Sequence, residues 1–159
     1  MLHINIICVG KLKEKYLKDA NAEYIKRLSK YCSINVIELQ DEKLPAKTND
    51  AVIAEIKEKE SKKIIQTIKK DSFVVALDLT GKQVSSEEFS EKIEKISLTN
   101  SQITFIIGGT LGMSKELLSL ANEKISFSKM TFTHQLIRIF LLEQIYRAFK
   151  ISKNETYHW

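Results

Sequence analysis

Three short segments of the sequence follow apolar runs and contain residue types that bind small molecules. They are residues 77–82 (Leu-Asp-Leu-Thr-Gly-Lys), 106–112 (Ile-Ile-Gly-Gly-Thr-Leu-Gly) and 127–134 (Phe-Ser-Lys-Met-Thr-Phe-Thr-His). In open α/β sheets, ligands bind at the carboxyl ends of the strands. If the apolar runs are strands, these three segments are candidates for one ligand site.

The glycine segment indicates close approach of the main chain to a ligand. Gly108, Gly109 and Gly112 carry no Cβ that would hold a ligand away from backbone N–H and C=O groups. The same glycines also fit a tight connection that binds nothing. The segment matches neither the P-loop pattern GxxxxGK[ST] nor the dinucleotide pattern GxGxxG, which argues against an NTPase and an NAD-dependent enzyme.

Two further groups of residues are candidates for contact with a substrate. His134 and Arg138 share one face at the start of the predicted last helix, where an anion would be favoured, although a simple capping arrangement is the alternative. Tyr157, His158 and Trp159 end the chain and are suited to stacking on a nucleic-acid base. Terminal segments are often without function, so both interpretations of the tail stay open.

Composition predicts one domain spanning residues 1–159. The chain is 43% hydrophobic, which is enough for a core, and charges interrupt every apolar run before it could span a membrane. The N-terminus lacks the features of a secretory signal, so a cytoplasmic protein is expected. Cys8, Cys32 and three scattered histidines do not form a metal-binding motif, and reduced thiols that fill space are expected instead.

Positive charge is concentrated in the C-terminal third. Between Lys124 and Lys153 there are six cations and one acid, Glu143, so this segment carries the whole formal charge of +5. The distribution fits an anionic partner such as a nucleic acid. A solvated basic face is the alternative.

The order of elements predicts an α/β fold with a mainly parallel sheet flanked by helices. Apolar, strand-like runs alternate with segments of helical spacing. Strands are predicted at 2–9, 33–39, 73–79, 103–107 and 124–128. Helices are predicted at 14–31, 50–69, 86 onward, 114–122 and 133–151, with Asp50, Ser85 or Ser86, and Ser114 as N-caps.

The last predicted helix is apolar in almost every direction around its axis. Such a helix must be covered on all sides, and one face of a small sheet covers only about half of it. The remainder suggests a partner subunit, most simply in a symmetric homodimer.

Taken together, the motifs resemble one family over essentially the whole chain. In order along the chain these motifs are Gly10-Lys-Leu-Lys, Leu77-Asp78 through Gly81-Lys82, Phe105-Ile-Ile-Gly-Gly-x-x-Gly112, Ser126-Phe-Ser-Lys-Met-Thr-Phe, His134-Gln135, Arg138, Glu143-Gln144-Ile145-Tyr146-Arg147-Ala148 and Tyr157-His158. Their order and spacing resemble the ribosomal large-subunit methyltransferase H family, the 23S rRNA (pseudouridine-1915 N3) methyltransferases.

The resemblance implies a SPOUT fold with a C-terminal trefoil knot, a homodimer and S-adenosylmethionine as methyl donor. The implied substrate is N3 of pseudouridine 1915 in 23S rRNA, within the large subunit or the assembled ribosome. By match to the family's motifs, the cofactor residues are Leu77, Gly108, Phe127, Ser128, Lys129, Met130, Thr131 and Phe132.

Catalytic roles follow from the same resemblance and from residue chemistry. Removing the N3 proton makes a better nucleophile, and a neutral histidine titrates in the right range, so His158 is the first candidate for general base or orienting group. Tyr157 would position the target base, and in a dimer the tail would complete the partner's site. Arg138 is the third candidate, whose more natural role is to hold phosphate or structure.

Two positions depart from the family pattern. Thr133 stands where a proline usually precedes the histidine of the last helix, and Trp159 stands where a basic residue is expected after Tyr-His. Two alternatives also stay open. One is a methyltransferase of this fold that acts on another RNA such as tRNA, and the other is a non-catalytic RNA- or ribosome-binding protein.

Overall fold

The alternating strands and helices form one parallel sheet with helices on both faces. The computed structural model describes residues 1–157, and in it five strands lie in the order β2-β1-β4-β3-β5. All four neighbouring pairs are parallel, which confirms the predicted fold class. The elements are β1 (Leu2–Val9), α1 (Lys15–Leu28), β2 (Cys32–Leu39), α2 (Asp50–Thr67), β3 (Phe73–Gln83), α3 (Ser86–Ser97), β4 (Gln102–Ile107), α4 (Lys115–Leu120), β5 (Glu123–Ser126) and α5 (His134–Ser152).

The apolar strands are buried on both faces, which explains their nearly continuous hydrophobic runs. Alternate residues of β1 belong to two cores. Ile4 and Ile6 pack with α1, α3 and α5. Ile7 and Val9 pack on the opposite face, where the side chains of α2 and α4 lie.

Hydroxyl and amide side chains fix where the helices begin. Ser85, Ser114 and Thr133 each accept a main-chain N–H from the first turn of the helix that follows. The prediction that Asp50 caps α2 is wrong, because Asn49 has the extended backbone of a cap and accepts the N–H instead. Asp50 lies in the first turn, where its negative charge favours the helix dipole.

Strand β3 is longer than the predicted 73–79 because it resumes pairing after an irregularity. Leu77 and Lys82 both pair with Ile125 of β5, so residues 78–81 are extra residues of β3 at a shift in register. At Gly81 a Cβ would lie 2.6 Å from the main-chain nitrogen of Ile125. A glycine is therefore required just before regular pairing with β5 resumes.

Helix α5 is covered more fully by its own chain than the sequence indicated. It packs against α1 and α3 as well as the sheet, and Leu141, Leu142 and Ile145 are completely buried. A smaller apolar area stays open around Phe140, which is 37% exposed and makes an edge-to-face contact with Phe132. The prediction of a partner subunit therefore rests on this smaller area.

No helix within residues 1–157 has both the length and the apolar character needed to cross a bilayer. In the same range, no three His, Cys, Asp or Glu side chains are grouped so as to hold a metal ion. Cys8 and Cys32 are buried free thiols. Burial raises the pKa of Cys8 to about 11 and that of Cys32 to about 12, so both thiols stay protonated at neutral pH.

Candidate active site

The three segments predicted to bind a ligand meet in one cavity at the carboxyl edge of the sheet. Leu77 of β3 pairs with Ile107 of β4, and β5 pairs with β3 on its other side, so the loops after these strands emerge together. The cavity has a volume of about 470 Å³ and is lined by parts of residues 77–79, 107–113 and 125–137. This volume is in the range of small-molecule sites.

Most of the predicted cofactor residues line this cavity. Lys129 belongs to the same loop, but it is exposed and does not contribute to the lining. Sequence reasoning missed Met113 and Ile137, because an apolar side chain that lines a cavity looks the same in sequence as one in the core. The predicted residues that form part of the wall are Leu77, Gly108, Phe127, Ser128, Met130, Thr131 and Phe132.

The glycine loop is tightly folded. The N–H of Gly112 donates to the carbonyl of Gly109 over 3.0 Å, and Gly112 has a φ of +83°, a conformation that favours glycine. A Cβ on Gly108 would lie 2.9 Å from Cγ of Met113. The loop therefore presents main chain to the cavity, with too little room for a Cβ at Gly108 and a backbone conformation that disfavours one at Gly112.

Two polar residues of α2 support the glycine loop from behind. Glu60 is 5% exposed, accepts the N–H of Glu42 over 3.0 Å, and has its Oε1 only 2.8 Å from where a Cβ on Gly109 would be. Burial raises the pKa of this carboxyl group above its ordinary value. Ser61 accepts the N–H of Ser114 over 2.9 Å. Sequence reasoning missed Glu60, although its position between Ile56 and Ile64 on one helix face was a signal.

Serine side chains fold the loop after β5. The hydroxyl of Ser126 donates to the carbonyl of Ser128 over 2.9 Å, and the hydroxyl of Ser128 accepts the N–H of Met130 over 3.0 Å. Beyond this turn the wall is apolar and open, since Met130 is 73% exposed and Leu79 and Phe132 are also exposed. Clustered apolar side chains in water are typical of a surface that a ligand or partner covers.

Arg138 is committed to contacts inside the protein. Its side chain is 2% exposed, and its guanidinium donates to Oε2 of Glu38 over 2.7 Å and to the carbonyl of Gly10 over 3.1 Å. Burial is the largest single influence on Glu38 and acts to raise its pKa, but the hydrogen bond and charge of Arg138, the N–H of Leu12 and the charge of Lys11 together outweigh it and lower that pKa. This placement favours the structural role for Arg138, which ties the loop after β1 to α5.

His134 lines the cavity at the start of α5. Burial, followed by the nearby charge of Arg138, lowers the pKa of His134 below its ordinary value. Its imidazole is therefore neutral at pH 7 and does not add a positive charge for an anion. Its Nε2 lies 3.3 Å from where a Cβ on Gly10 would be, so the histidine and this glycine are in close contact.

The tail residue Tyr157 lies at the other end of α5 from the cavity. Its hydroxyl donates to Glu143 over 2.8 Å, and its ring packs edge-to-face on Tyr146 with centroids 5.0 Å apart. Burial and the contact with Glu143 raise the pKa of Tyr157. Tyr146 is about 18 Å along the helix from His134. Tyr157 therefore does not reach the cavity of its own chain. The predicted residues His158 and Trp159 lie outside the described residues.

Glu155 anchors the start of the tail. Its carboxylate accepts hydrogen bonds from Lys150 and from the hydroxyl of Tyr31. The pKa of Glu155 is lowered to about 2, mainly by the hydrogen bond from Lys150 and next by the hydrogen bond from Tyr31. The tail therefore leaves α5 in a defined direction at least as far as Tyr157.

Comparison with known proteins identifies the family. The family described as "Predicted SPOUT methyltransferase" matches residues 2–158. The protein from Clostridium acetobutylicum named "Ribosomal RNA large subunit methyltransferase H" is 58% identical over 158 residues, which cover 99% of both chains. The chain belongs to this methyltransferase H family of SPOUT proteins. Other methyltransferase H relatives are those of Clostridium novyi, at 56% identity, and Clostridium perfringens, at 54%, each with 99% coverage of both chains.

Solved structures support the SPOUT fold of this methyltransferase at low sequence identity. A probable methylase family protein from Haemophilus influenzae superposes with a TM-score of 0.53 at 12% identity, over 98% of this chain and 70% of the other. A TrmH/SpoU tRNA modifying enzyme from A. aeolicus gives a TM-score of 0.51 at 14% identity, over 95% and 77%. These likenesses concern the fold alone, and with the family match they confirm the predicted SPOUT methyltransferase.

Proposed function

We propose that this methyltransferase transfers a methyl group from S-adenosylmethionine to N3 of pseudouridine 1915 in 23S rRNA. The observation that carries the proposal is the cavity walled by the three loops after β3, β4 and β5 in a chain of this family. Relatives at 54–58% identity are named for methylation of large-subunit rRNA. The substrate is the large subunit or the assembled ribosome, and the site of action is the cytoplasm.

The residues of the cavity fit S-adenosylmethionine. Leu77, Met113 and Ile137 offer apolar walls for the adenine and the thioether, while the main chain around Gly108 and in residues 127–132 offers hydrogen-bonding groups. When bound, the cofactor supplies a methyl group on a sulfonium, which is a good leaving group. We assign Lys129 a contact with the cofactor at the rim of the cavity, because its neighbours Ser128 and Met130 both line the cavity.

The chain's own contribution is alignment, exclusion of water and handling of one proton. In this proposal His158 takes the N3 proton or orients the base, and Tyr157 positions the target. Arg138 acts indirectly, because its contacts with Glu38 and Gly10 hold the loop after β1 against the start of α5.

A homodimer in which the tail of each chain completes the partner's site would allow the tail to act although it lies far from the cavity of its own chain. Tyr157 packs far along α5 from the cavity of its own chain, and an apolar area around Phe132 and Phe140 is available for a second copy. The trefoil knot implied by the resemblance stays a prediction.

Analysis of ribosomal RNA tests the proposed reaction. In a strain that lacks the gene, mass spectrometry should show loss of one methyl group at pseudouridine 1915, and the purified protein should restore it on ribosomes from that strain. Loss of a methyl group from another RNA instead would establish the other-substrate alternative. Absence of S-adenosylmethionine binding by calorimetry would favour the non-catalytic RNA-binding alternative.

Substitution of the tail tests the assigned base. His158→Ala should lower the methylation rate by about 10²–10⁴, the usual contribution of a general acid or base, while S-adenosylmethionine binding stays unchanged. Thr156→Ala, at an exposed neighbouring position, is the matched control and should keep normal activity. Full activity of His158→Ala on unmodified ribosomes would remove His158 from the mechanism.

Mixing two inactive variants tests whether the tail acts on the partner. A His158→Ala subunit keeps an intact cavity, and a variant with a damaged glycine loop keeps an intact tail. If the sites are shared, heterodimers have one complete site, and the mixture should recover about one quarter of wild-type activity. If each chain completes its own site, mixing recovers no activity.

A further inference from the structure

The loop after β1, residues 10–14, leaves the sheet directly beside the glycine loop of the cavity. Cys8 of β1 pairs with Ile107 of β4, so the two strands end at the same level. Cγ1 of Val9 lies only 3.2 Å from where a Cβ on Gly109 would be. The loop therefore lies at the rim of the proposed active site, next to residues that line the cavity.

Hydrogen bonds to two other elements hold this loop in place. It receives contacts from β2, including the side chain of Glu38, and from α5, and Leu12 is buried in its middle. The bonds are Gly10 N–H to the carbonyl of Leu39 (2.7 Å), Arg138 to the carbonyl of Gly10 (3.1 Å), Leu12 N–H to Glu38 (3.3 Å) and Lys13 N–H to Oε1 of Gln135 (3.2 Å). Gln135 itself lines the cavity.

The two lysines of the loop project from a fixed backbone without ion-pair partners. Lys11 and Lys13 are both exposed, and among residues 1–157 neither forms a salt bridge. Lys15, by contrast, pairs with Asp19 one turn along its helix. Glu38, whose pKa the charge of Lys11 helps to lower, is already paired with Arg138. The positive charge of Lys11 and Lys13 is thus available to a partner.

We propose that Lys11 and Lys13 bind backbone phosphates of the RNA substrate as the target nucleotide enters the cavity. The inference rests on the proposed function, since it takes the ligand of the cavity's rim to be RNA. Phosphate contacts fix the register and orientation of a nucleic acid without reading its sequence. A loop held by hydrogen bonds to β2 and α5, with two exposed cations beside the cavity, is suited to that task.

The test compares a double variant with a matched control on the opposite edge of the sheet. Lys11→Ala/Lys13→Ala removes two charges at the rim, and Lys69→Ala/Lys70→Ala removes two exposed charges between α2 and the amino end of β3. Binding to ribosomes from the strain lacking the gene is measured across a series of KCl concentrations. Methylation of the same ribosomes gives KM and kcat, and calorimetry with S-adenosylmethionine reports whether each variant is folded.

The Lys11→Ala/Lys13→Ala variant should raise KM for ribosomes about tenfold. It should also make the fall of log affinity with log salt shallower, reducing the magnitude of the slope by about 2. Its kcat and its affinity for S-adenosylmethionine should stay close to wild type, and Lys11→Arg/Lys13→Arg should restore ribosome binding. Wild-type affinity and slope in the alanine variant would overturn the inference, as would an equal loss in the Lys69/Lys70 control. Wild-type protein that neither binds nor methylates ribosomes would instead contradict the proposed function.

Discussion

Gly109 lies where two parts of the chain approach too closely for a side chain. Oε1 of Glu60 lies behind it, and the carboxylate is held there by the N–H of Glu42. Because Glu60 is buried, moving it would break a hydrogen bond that water could not readily replace. The position of a cavity loop thus depends on a side chain that never reaches the cavity.

Replacing Gly109 should therefore weaken cofactor binding. Gly109→Ala places a methyl group within 2.8 Å of Glu60 and 3.2 Å of Val9, which should displace the loop and destabilise the fold by about 1–3 kcal/mol. Calorimetry should show S-adenosylmethionine affinity reduced about tenfold or more. The double variant Gly109→Ala/Glu60→Ala removes the main obstacle and should recover part of the affinity. No recovery would show that Glu60 is not the obstacle.

His134 should make stability depend on pH near neutrality. Its folded pKa lies below the ordinary value of 6.5, so the folded protein takes up this proton less readily than the unfolded chain. The contribution of His134 to the free energy of unfolding is complete above pH 6.5 and is lost as the pH falls from 6.5 towards and through the folded pKa. Urea unfolding at pH 7.5 and 5.5 should show a larger loss of the free energy of unfolding in wild type than in His134→Gln. Equal losses would contradict the assignment.

At the scale of elements, the pairing of β3 with β5 shapes the cavity. Leu77 and Lys82 share one partner, Ile125, and two of the four residues between them, Asp78 and Leu79, line the cavity. Gly81 permits this arrangement because its Cα lies against the backbone of β5. A backbone neighbour cannot move aside as a flexible side chain can.

Gly81→Ala should consequently damage both stability and the cofactor site. Its Cβ would lie 2.6 Å from the nitrogen of Ile125, and we expect a loss of about 1–3 kcal/mol in urea unfolding together with weaker S-adenosylmethionine binding. Lys82→Ala, at the exposed next residue, is the matched control and should change neither quantity appreciably. An alanine tolerated at position 81 would mean that β3 and β5 are not packed as described.

At the scale of the whole molecule, the open apolar area near the cavity indicates how two copies would meet. Phe132 and Phe140 contact each other edge-to-face and stay exposed beside the start of α5. The rest of α5 is covered by α1, α3 and the sheet. Association through this area would place a second chain next to the cavity.

A charge at this area should separate the subunits. Phe140→Glu should give a monomer in light scattering after size-exclusion chromatography, and methylation should fall because the tail no longer reaches a partner's site. Leu98→Glu alters another exposed apolar residue, just beyond α3, and should keep the wild-type oligomeric state. Identical masses for Phe140→Glu, Leu98→Glu and wild type would exclude this area as the interface.

Much of the cavity could be predicted from sequence because its walls are loops that directly follow apolar strands. The segments at 77–82, 106–112 and 127–134 each contain residue types that bind ligands within a few residues of the end of a strand. They lie together because the strands of a parallel sheet end at the same edge. The same logic predicted the cap Ser114 and a cap at Ser85 or Ser86, of which Ser85 is the one observed, because the effect of a cap is local. Asn49 was missed as a cap because an adjacent aspartate is chemically almost equivalent.

Contacts between distant parts of the chain were decided only by the tertiary structure. The sequence by itself determined the fold class, the family and the position of the ligand loops, since these depend on periodicity and short motifs. The pairing of Arg138 with Glu38, the support of Gly109 by Glu60, and the separation of Tyr157 from the cavity depend on which elements the sheet brings together. The physical reason is that a hydrogen bond or an excluded Cβ acts over a few ångströms in space, whatever the separation along the chain.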